Sequence, residues 1–304
     1  MVRRTTVRGV RCVEIEMSDP ERAARFYVDV WNLTEVDRAG PAIYLRGTCA
    51  YHHILAIHPS NGPAHIRRIV FDAADRGTVD TLHADVAGTR VVSEEPHALD
   101  RVDGGYGFGF QDPGGRNMAI VCDAKNHPDD KKFPDRPYKI AHVNVNTALA
   151  DETTRFLINR LGFRLVDHAG SQYFFNADCP DHSSIVICES SGETLNHVAY
   201  EMPNLESVMR GAGRMRDNGY PIEWGVGRHG AGNNVFAYFA GPEEFPIEYT
   251  GEVLQIDDTY PFNGPEYWKW PSGRLDQWGV TPPHTTRWKR IQTLYTFTSG
   301  AYQL

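Results

Sequence analysis

Residues 9–16 (GVRCVEIE) alternate apolar and polar side chains, the period-two pattern of a half-buried strand. Asp19-Pro20 then opens a stretch in which Ala24, Phe26, Tyr27 and Val30 recur at helical spacing, with Asp19 as N-cap and Pro20 in the first turn. Residues 33–37 and 42–45 predict the next two strands. The same order of patterns returns 130 positions later. Ile140-Ala141-His142-Val143-Asn144-Val145 alternates like the first strand, and Arg155-Phe156-Leu157 stands where Arg25-Phe26-Tyr27 stood. Val166-Asp167-His168-Ala169-Gly170 lies over Val36-Asp37-Arg38-Ala39-Gly40. After one slip in register, a shift of 129 carries residues 68–72 onto 197–201 and residues 107–123 onto 236–252. The chain is two copies of one domain.

Each copy is doubled again inside, because a second strand, from Ile66 or Leu195, starts a new round of strand, helix and strands. The helices of these second rounds are predicted near residues 75–85 and 205–218, with Gly219 as the stop of the latter. The expected organisation is an α+β fold of four βαββ(β) modules. Residues 1–122 form one domain and 139–252 the other. Residues 123–138 (DAKNHPDDKKFPDRPY), polar, proline-bearing and without period, read as the linker. Residues 253–304 have no counterpart in the first copy and form a tail rich in Trp, Tyr and Pro.

Composition narrows the function classes. With 31 Lys+Arg against 39 Asp+Glu and no basic block, nucleic acid is not an expected partner. A hydrophobic content of 41% argues against wholesale disorder, and no apolar run approaches the ~18 residues of a membrane span. The first residues carry arginines but no apolar run behind them, so no secretory signal is expected. Five cysteines, an odd number without CxxC spacing, fit reduced thiols in a cytoplasm better than a disulfide framework.

Candidate chemistry emerges by subtracting one copy from the other. His142 corresponds to Cys12, His197 to Arg68 and Glu248 to Ala119. The second copy therefore has two imidazoles and a carboxylate at matched strand positions where the first has a thiol, a guanidinium and a methyl. A lone histidine is ordinarily a packed or surface residue, but three matched replacements form a pattern. Two His and one carboxylate with open positions suit a non-haem Fe(II) centre, and the same ligands suit zinc and manganese.

This pattern resembles the vicinal oxygen chelate superfamily and, within it, the two-domain type I extradiol dioxygenases that cleave catechols. The resemblance covers roughly residues 8–252 and rests on Ala141-His142-Val143, Leu195-Asn196-His197-Val198 and Ile247-Glu248-Tyr249. It implies mixed, strongly curved sheets, a metal-free N-terminal domain and a C-terminal domain holding Fe(II), or Mn(II), on His142, His197 and Glu248. It implies insertion of both O₂ atoms beside the diol of a catechol, giving a 2-hydroxymuconic-semialdehyde-type product. Asp181-His182-Ser183-Ser184 resembles the segment with the family's acid/base histidine, which assigns proton transfer to His182. Gly227-Arg228-His229-Gly230 resembles its GRH loop, and with Tyr238 this implies hydrogen bonds from His229 and Tyr238 to the bound substrate. Relatives are homo-oligomers, and the same state is expected here.

The tail carries Tyr260, Phe262, Tyr267, Trp268, Trp270, Trp278 and Trp288, together with Arg274, His284 and Arg287. It reads equally as a lid over the substrate and as a wrap on a neighbouring module or subunit. Arg274 is a candidate grip for a substrate carboxylate. Trp224, however, stands before His229 where carboxylate-binding relatives have arginine, which favours a neutral, alkyl- or aryl-substituted catechol. His52 and His53, at the first-copy position of His182, are expected to be structural. The rival readings are another enzyme of the superfamily, of glyoxalase or epimerase type, and a metal-free small-molecule binding protein.

Overall fold

The computed structural model describes residues 6–130 and 133–304. Residues 1–5, where the early arginines lie, and Lys131-Lys132 of the linker fall outside the described residues. The first half runs β1 (Gly9–Met17), α1 (Pro20–Asp29), β2 (Thr34–Ala39), β3 (Ala42–Arg46) and β4 (Leu55–Pro59). It continues with β5 (His65–Asp72), α2 (Arg76–Ala87), β6 (His97–Ala98), β7 (Tyr106–Gln111) and β8 (Asn117–Cys122). The second half repeats the order with β9 (Ile140–Thr147), α3 (Ala150–Leu161), β10 (Arg164–Ala169), β11 (Gln172–Asn176) and β12 (Ile185–Glu189). Then come β13 (Thr194–Met202), α4 (Leu205–Asp217), β14 (Trp224–Arg228), β15 (Val235–Ala240) and β16 (Pro246–Gly251). The tail adds α5 (Thr286–Ile291) and β17 (Tyr295–Thr296).

The two halves build two sheets of the same topology, β2-β3-β4-β1-β5-β8-β7-β6 and β10-β11-β12-β9-β13-β16-β15-β14. In each, the first strands of the two modules pair antiparallel at the centre, and each pairs parallel with the last strand of its own module. Both sheets are mixed, as expected. The copies match to the residue. Cys12 lies beside Val70 and Val70 beside Ala119, just as His142 lies beside Ala199 and Ala199 beside Glu248. The three positions singled out by subtraction therefore sit on three adjacent central strands.

Local signals behave as the sequence predicts. The Asp19 carboxylate accepts the Arg22 N–H at 2.9 Å to cap α1, and Asp75 accepts that of Thr78 at 2.8 Å to cap α2. Gly219 follows α4 at φ +84°, a backbone conformation that side chains with a Cβ resist. Gly104 and Gly105 take positive φ in a turn, and β7 begins at Tyr106.

The apolar core runs through both halves. Trp31, just after α1, stacks on Tyr249 of β16 at 3.6 Å between centroids and 8° between planes. The Tyr249 hydroxyl donates to the Trp31 carbonyl at 2.9 Å. Such a pair contributes roughly 0.5–1.5 kcal/mol beyond the area it buries, and it fixes the strand that carries Glu248 against the opposite half. All five cysteines are free thiols. Among the described residues no helix is long and apolar enough to cross a membrane.

Candidate metal centre

His142 on β9, His197 on β13 and Glu248 on β16 point their ligand atoms to one spot. The Nε2 atoms of the two histidines lie 3.2 Å apart, and Glu248 Oε2 is 3.0 Å from His197 Nε2 and 3.5 Å from His142 Nε2. Two ligands ~2.1 Å from a common ion at an angle of ~90–110° stand roughly 3.0–3.4 Å apart, so the triangle has the edges of one face of a coordination sphere. Among the described residues this is the cluster with metal-ligand geometry.

The electrostatics of the triangle fit a cation. Glu248 is fully buried, yet neither of its carboxylate oxygens has a hydrogen-bond partner. A buried carboxylate without partners is costly unless a positive charge meets it. Without one, burial pushes the Glu248 carboxyl up to about 7. Burial also pushes the His142 imidazole down to about 4, against the pull of Glu248, and His197 down to about 3. Both rings are thus neutral, the form that ligates. Asn196 fixes the tautomer of His197, since its Oδ1 lies 2.8 Å from Nδ1 and leaves the Nε2 lone pair free.

The first half has filled the same place with an ion pair. Arg68, at the position of His197, meets Glu14 at 3.4 Å, and Arg101 reaches the same carboxylate at 2.9 Å. Cys12, at the position of His142, is buried among these groups, and burial pushes its thiol up to about 12. The Arg68 guanidinium thus stands where the second half has a ligand imidazole.

Above the triangle lies a cavity of about 240 Å³. Trp224, Trp268, Trp270, Trp288, Phe174 and Leu275 provide its apolar wall. Asn144, Ser183, Asn196, His229 and His284 provide neutral polar groups, and among the described residues no Lys or Arg lines it. His229 Nε2 and the Tyr238 hydroxyl share a hydrogen bond of 2.8 Å, with the His229 ring stacked on Phe236. Burial holds His229 well below the usual histidine range and Tyr238 well above the usual phenol range, so the pair is neutral.

A sequence profile of the glyoxalase/bleomycin resistance protein/dioxygenase superfamily matches residues 139–249. The crystal structure of the Mn(II)-bound glyoxalase from Novosphingobium aromaticivorans is 32% identical and superposes with a TM-score of 0.85 over 93% of this chain and 94% of that one. The chain belongs to this superfamily. A manganese-dependent 2,3-dihydroxybiphenyl 1,2-dioxygenase from Geobacillus genomosp. 3 is 28% identical over 247 residues, 73% of this chain and 78% of that protein. Homoprotocatechuate 2,3-dioxygenase from Arthrobacter globiformis, 19% identical, shares the superfamily fold with a TM-score of 0.86 over 99% of this chain and 95% of that one.

Within this superfamily fold, the structure brings together His142, His197, Glu248, His229, Tyr238 and Trp224, which all surround or underlie the one cavity. Two expected residues are placed elsewhere. His182 is fully buried behind the wall, its Nε2 held by Asp167 at 2.5 Å. Its neighbour Ser183 lines the cavity instead, because the chain alternates sides as it enters β12. Arg274 is exposed and folds over Gly279, outside the cavity wall, because Leu275 takes the inward position. Asn144 and Ser183 are cavity residues that the sequence reading does not pick out. Asn144 had a signal, since it lies two positions after His142 on the same strand face.

The tail touches both the cavity and the first sheet. Trp268, Trp270, Leu275, His284 and Trp288 close the cavity, and a Cβ on Gly230 would lie 2.7 Å from the Trp270 ring. Beyond α5 the tail pairs with β13 through β17 and then crosses to the first sheet, where the Arg68 guanidinium donates to the Ala301 carbonyl at 2.9 Å. His52 and His53 are buried, with Nδ1 atoms 3.1 Å apart, beside the filled site of the first half.

Proposed function

We propose that the chain is a non-haem extradiol dioxygenase that opens a catechol ring beside its diol with both atoms of O₂. The observation that carries this reading is the His142–His197–Glu248 triangle, with its unpartnered carboxylate, at the floor of a neutral aromatic cavity. An Fe(II) or Mn(II) ion bound there would supply coordination positions for catechol and O₂ and a path for electrons between them. The manganese of the Novosphingobium structure and of the Geobacillus enzyme supports Mn(II) alongside Fe(II). The two imidazoles and the carboxylate would hold the ion, and Glu248 would offset half of its charge.

The chain's own residues supply the rest. The neutral His229, paired with Tyr238, offers a hydrogen bond to the bound catechol. Tyr238 stays protonated, so its O–H donates to oxygen on which negative charge gathers. Ser183 and Asn144 turn neutral polar groups to the cavity beside His142. The tryptophans give the cavity an apolar wall. An apolar cavity of roughly 150 Å³ takes up benzene, so about 240 Å³ leaves room for a ring and a substituent. With no Lys or Arg among the described residues of the wall, a neutral substituent, alkyl or aryl, fits it best.

In this reading residues 139–252 are the catalytic domain, residues 1–122 a metal-free partner, 123–138 the linker and 253–304 a covering tail. We assign the protein to a reducing cytoplasm as a homo-oligomer. The exposed Phe262 and Tyr267 of the tail support a subunit contact.

Anaerobic purification, metal analysis and a panel of catechols with O₂ test the proposal. Stoichiometric iron or manganese and a yellow ring-fission product, both lost in His142→Ala, are expected. Metal without turnover of any catechol overturns it. The name of the Novosphingobium structure favours a glyoxalase as the second reading. Turnover of a glutathione hemithioacetal by the same metal-loaded protein would select it.

A further inference from the structure

His182 and Asp167 are both fully buried and form the shortest carboxylate–imidazole contact around the second sheet, 2.5 Å. Asp167 sits at a bulge of β10 and its carboxylate is crowded with donors. Besides His182 it accepts from the Asn263 amide at 2.8 Å and the Tyr260 hydroxyl at 3.1 Å. Both of these come from the tail. The backbone repeats the attachment on each side of the pair. Asn263 bridges Val166 and His168 through N–H···O bonds of 3.2 and 2.9 Å, and the His182 N–H donates to the Leu254 carbonyl at 2.9 Å. Ile256 donates to Pro180 at 2.7 Å, and Leu254 to Gly232 at 2.9 Å. Residues 254–263 are therefore a strap laid across β10 and the turn before β12. A few residues further on, the chain reaches Trp268, Trp270 and Leu275 at the mouth of the cavity.

The other ring nitrogen of His182 makes no hydrogen bond, and a Cβ on Gly232, which lines the cavity, would lie 3.3 Å from it. Among the described residues the hydrogen bond this imidazole makes is the one to Asp167. Its polar partner is the carboxylate, and the carboxylate's other side-chain partners are the strap.

We propose that His182 is a positioning residue, and that with Asp167 it latches residues 254–263 and so sets Trp268 and Trp270 over the substrate cavity. The imidazole orients the carboxylate, the carboxylate holds Tyr260 and Asn263, and the strap delivers the tryptophans. A carboxylate with three side-chain donors is a fixed point, and loss of one donor frees the others to exchange with water. The latch itself does not depend on the dioxygenase reading, on which only the kinetic half of its test rests.

The test uses the full chain loaded with Mn(II). Tyr260→Phe combined with Asn263→Ala removes the strap's half of the latch without touching the imidazole, and His182→Ala removes the other half. His182→Gln leaves an amide N–H to donate to Asp167. Lys269 and Arg274 are exposed beyond the strap and report its release as tryptic cleavage sites. Both disrupting variants are expected to be cut about tenfold faster than the parent, with His182→Gln restored towards the parent. With a catechol that is turned over, both should raise KM by about tenfold and leave the pH profile of kcat unchanged. Unchanged cleavage in the strap variant overturns the latch. So does a His182→Ala enzyme with altered kcat and pH profile while the strap variant stays normal, since that marks proton transfer by the imidazole. Should His182→Ala fail to fold, the strap variant and His182→Gln decide the matter. Should no catechol be turned over, the cleavage rates still do.

Discussion

Asn196 Oδ1 accepts the Nδ1 proton of His197 at 2.8 Å, so that neighbours in sequence, at a register shift of β13, meet at a single hydrogen bond. Asn196 is itself anchored, its amide donating to Asn146 at 3.0 Å. The bond selects the tautomer whose Nε2 lone pair faces Glu248 and His142. Asn196→Ala is expected to lower metal affinity 10- to 100-fold with the fold intact, as measured by competition with a chelator and by circular dichroism.

Glu248 gives a prediction of opposite signs in the two metal states. Its carboxylate is buried without a hydrogen-bond partner. In metal-free protein Glu248→Gln removes an unfavourable charge, and Tm should rise by a few degrees. The same variant should lose the Tm increase that Mn(II) or Fe(II) gives the parent, because the anionic ligand is gone. Scanning calorimetry with and without metal checks both halves.

The filled site of the first half sets an acid limit to stability. Burial alone would raise the Glu14 carboxyl, but Arg68 and Arg101 bring it from 4.5 down to about 2. A folded-state value below the unfolded one means that the stabilisation is complete above about pH 4.5 and is lost as the pH falls towards 2. The shift corresponds to roughly 3 kcal/mol. Glu14→Gln should therefore lose stability at pH 7 and show a flatter decline between pH 5 and 2, by denaturant unfolding at each pH.

Tyr238 joins His229 to the metal site. Tyr238→Phe removes the 2.8 Å hydrogen bond and leaves a buried imidazole without its partner. Ring cleavage is expected to slow by roughly 10- to 100-fold, with metal content unchanged. Single-turnover kinetics on anaerobically bound catechol, followed by O₂, separate this from weakened substrate binding.

Trp224 tests the neutrality of the cavity. Its ring packs against Phe236, Tyr238 and His284. Trp224→Arg places a cation among neutral walls. Preference should shift towards carboxylated catechols by about tenfold in kcat/KM relative to alkyl catechols, read from competition between the two substrates.

By itself the sequence determined the duplication, the module order and the three strand positions that differ between the copies. Period-two alternation and cap residues are local properties, and a repeated register carries one copy's geometry onto the other. His142, His197 and Glu248 were legible for that reason, each standing on a strand whose partner in the first copy was known. Tertiary structure decided what no local pattern encodes. Whether His182 or Ser183 faces the cavity depends on where the chain turns into β12, and a step of one residue there reverses the side. That Arg274 stays outside while Leu275 and His284 enter depends on the path of a tail with no second copy to align against. The pairing of Trp31 with Tyr249, and of Asp167 with Tyr260 and Asn263, joins segments whose separation in sequence leaves no periodic trace. Strand faces follow from alternation along one element, whereas contacts between elements follow from how their surfaces pack, and only the folded chain contains that information.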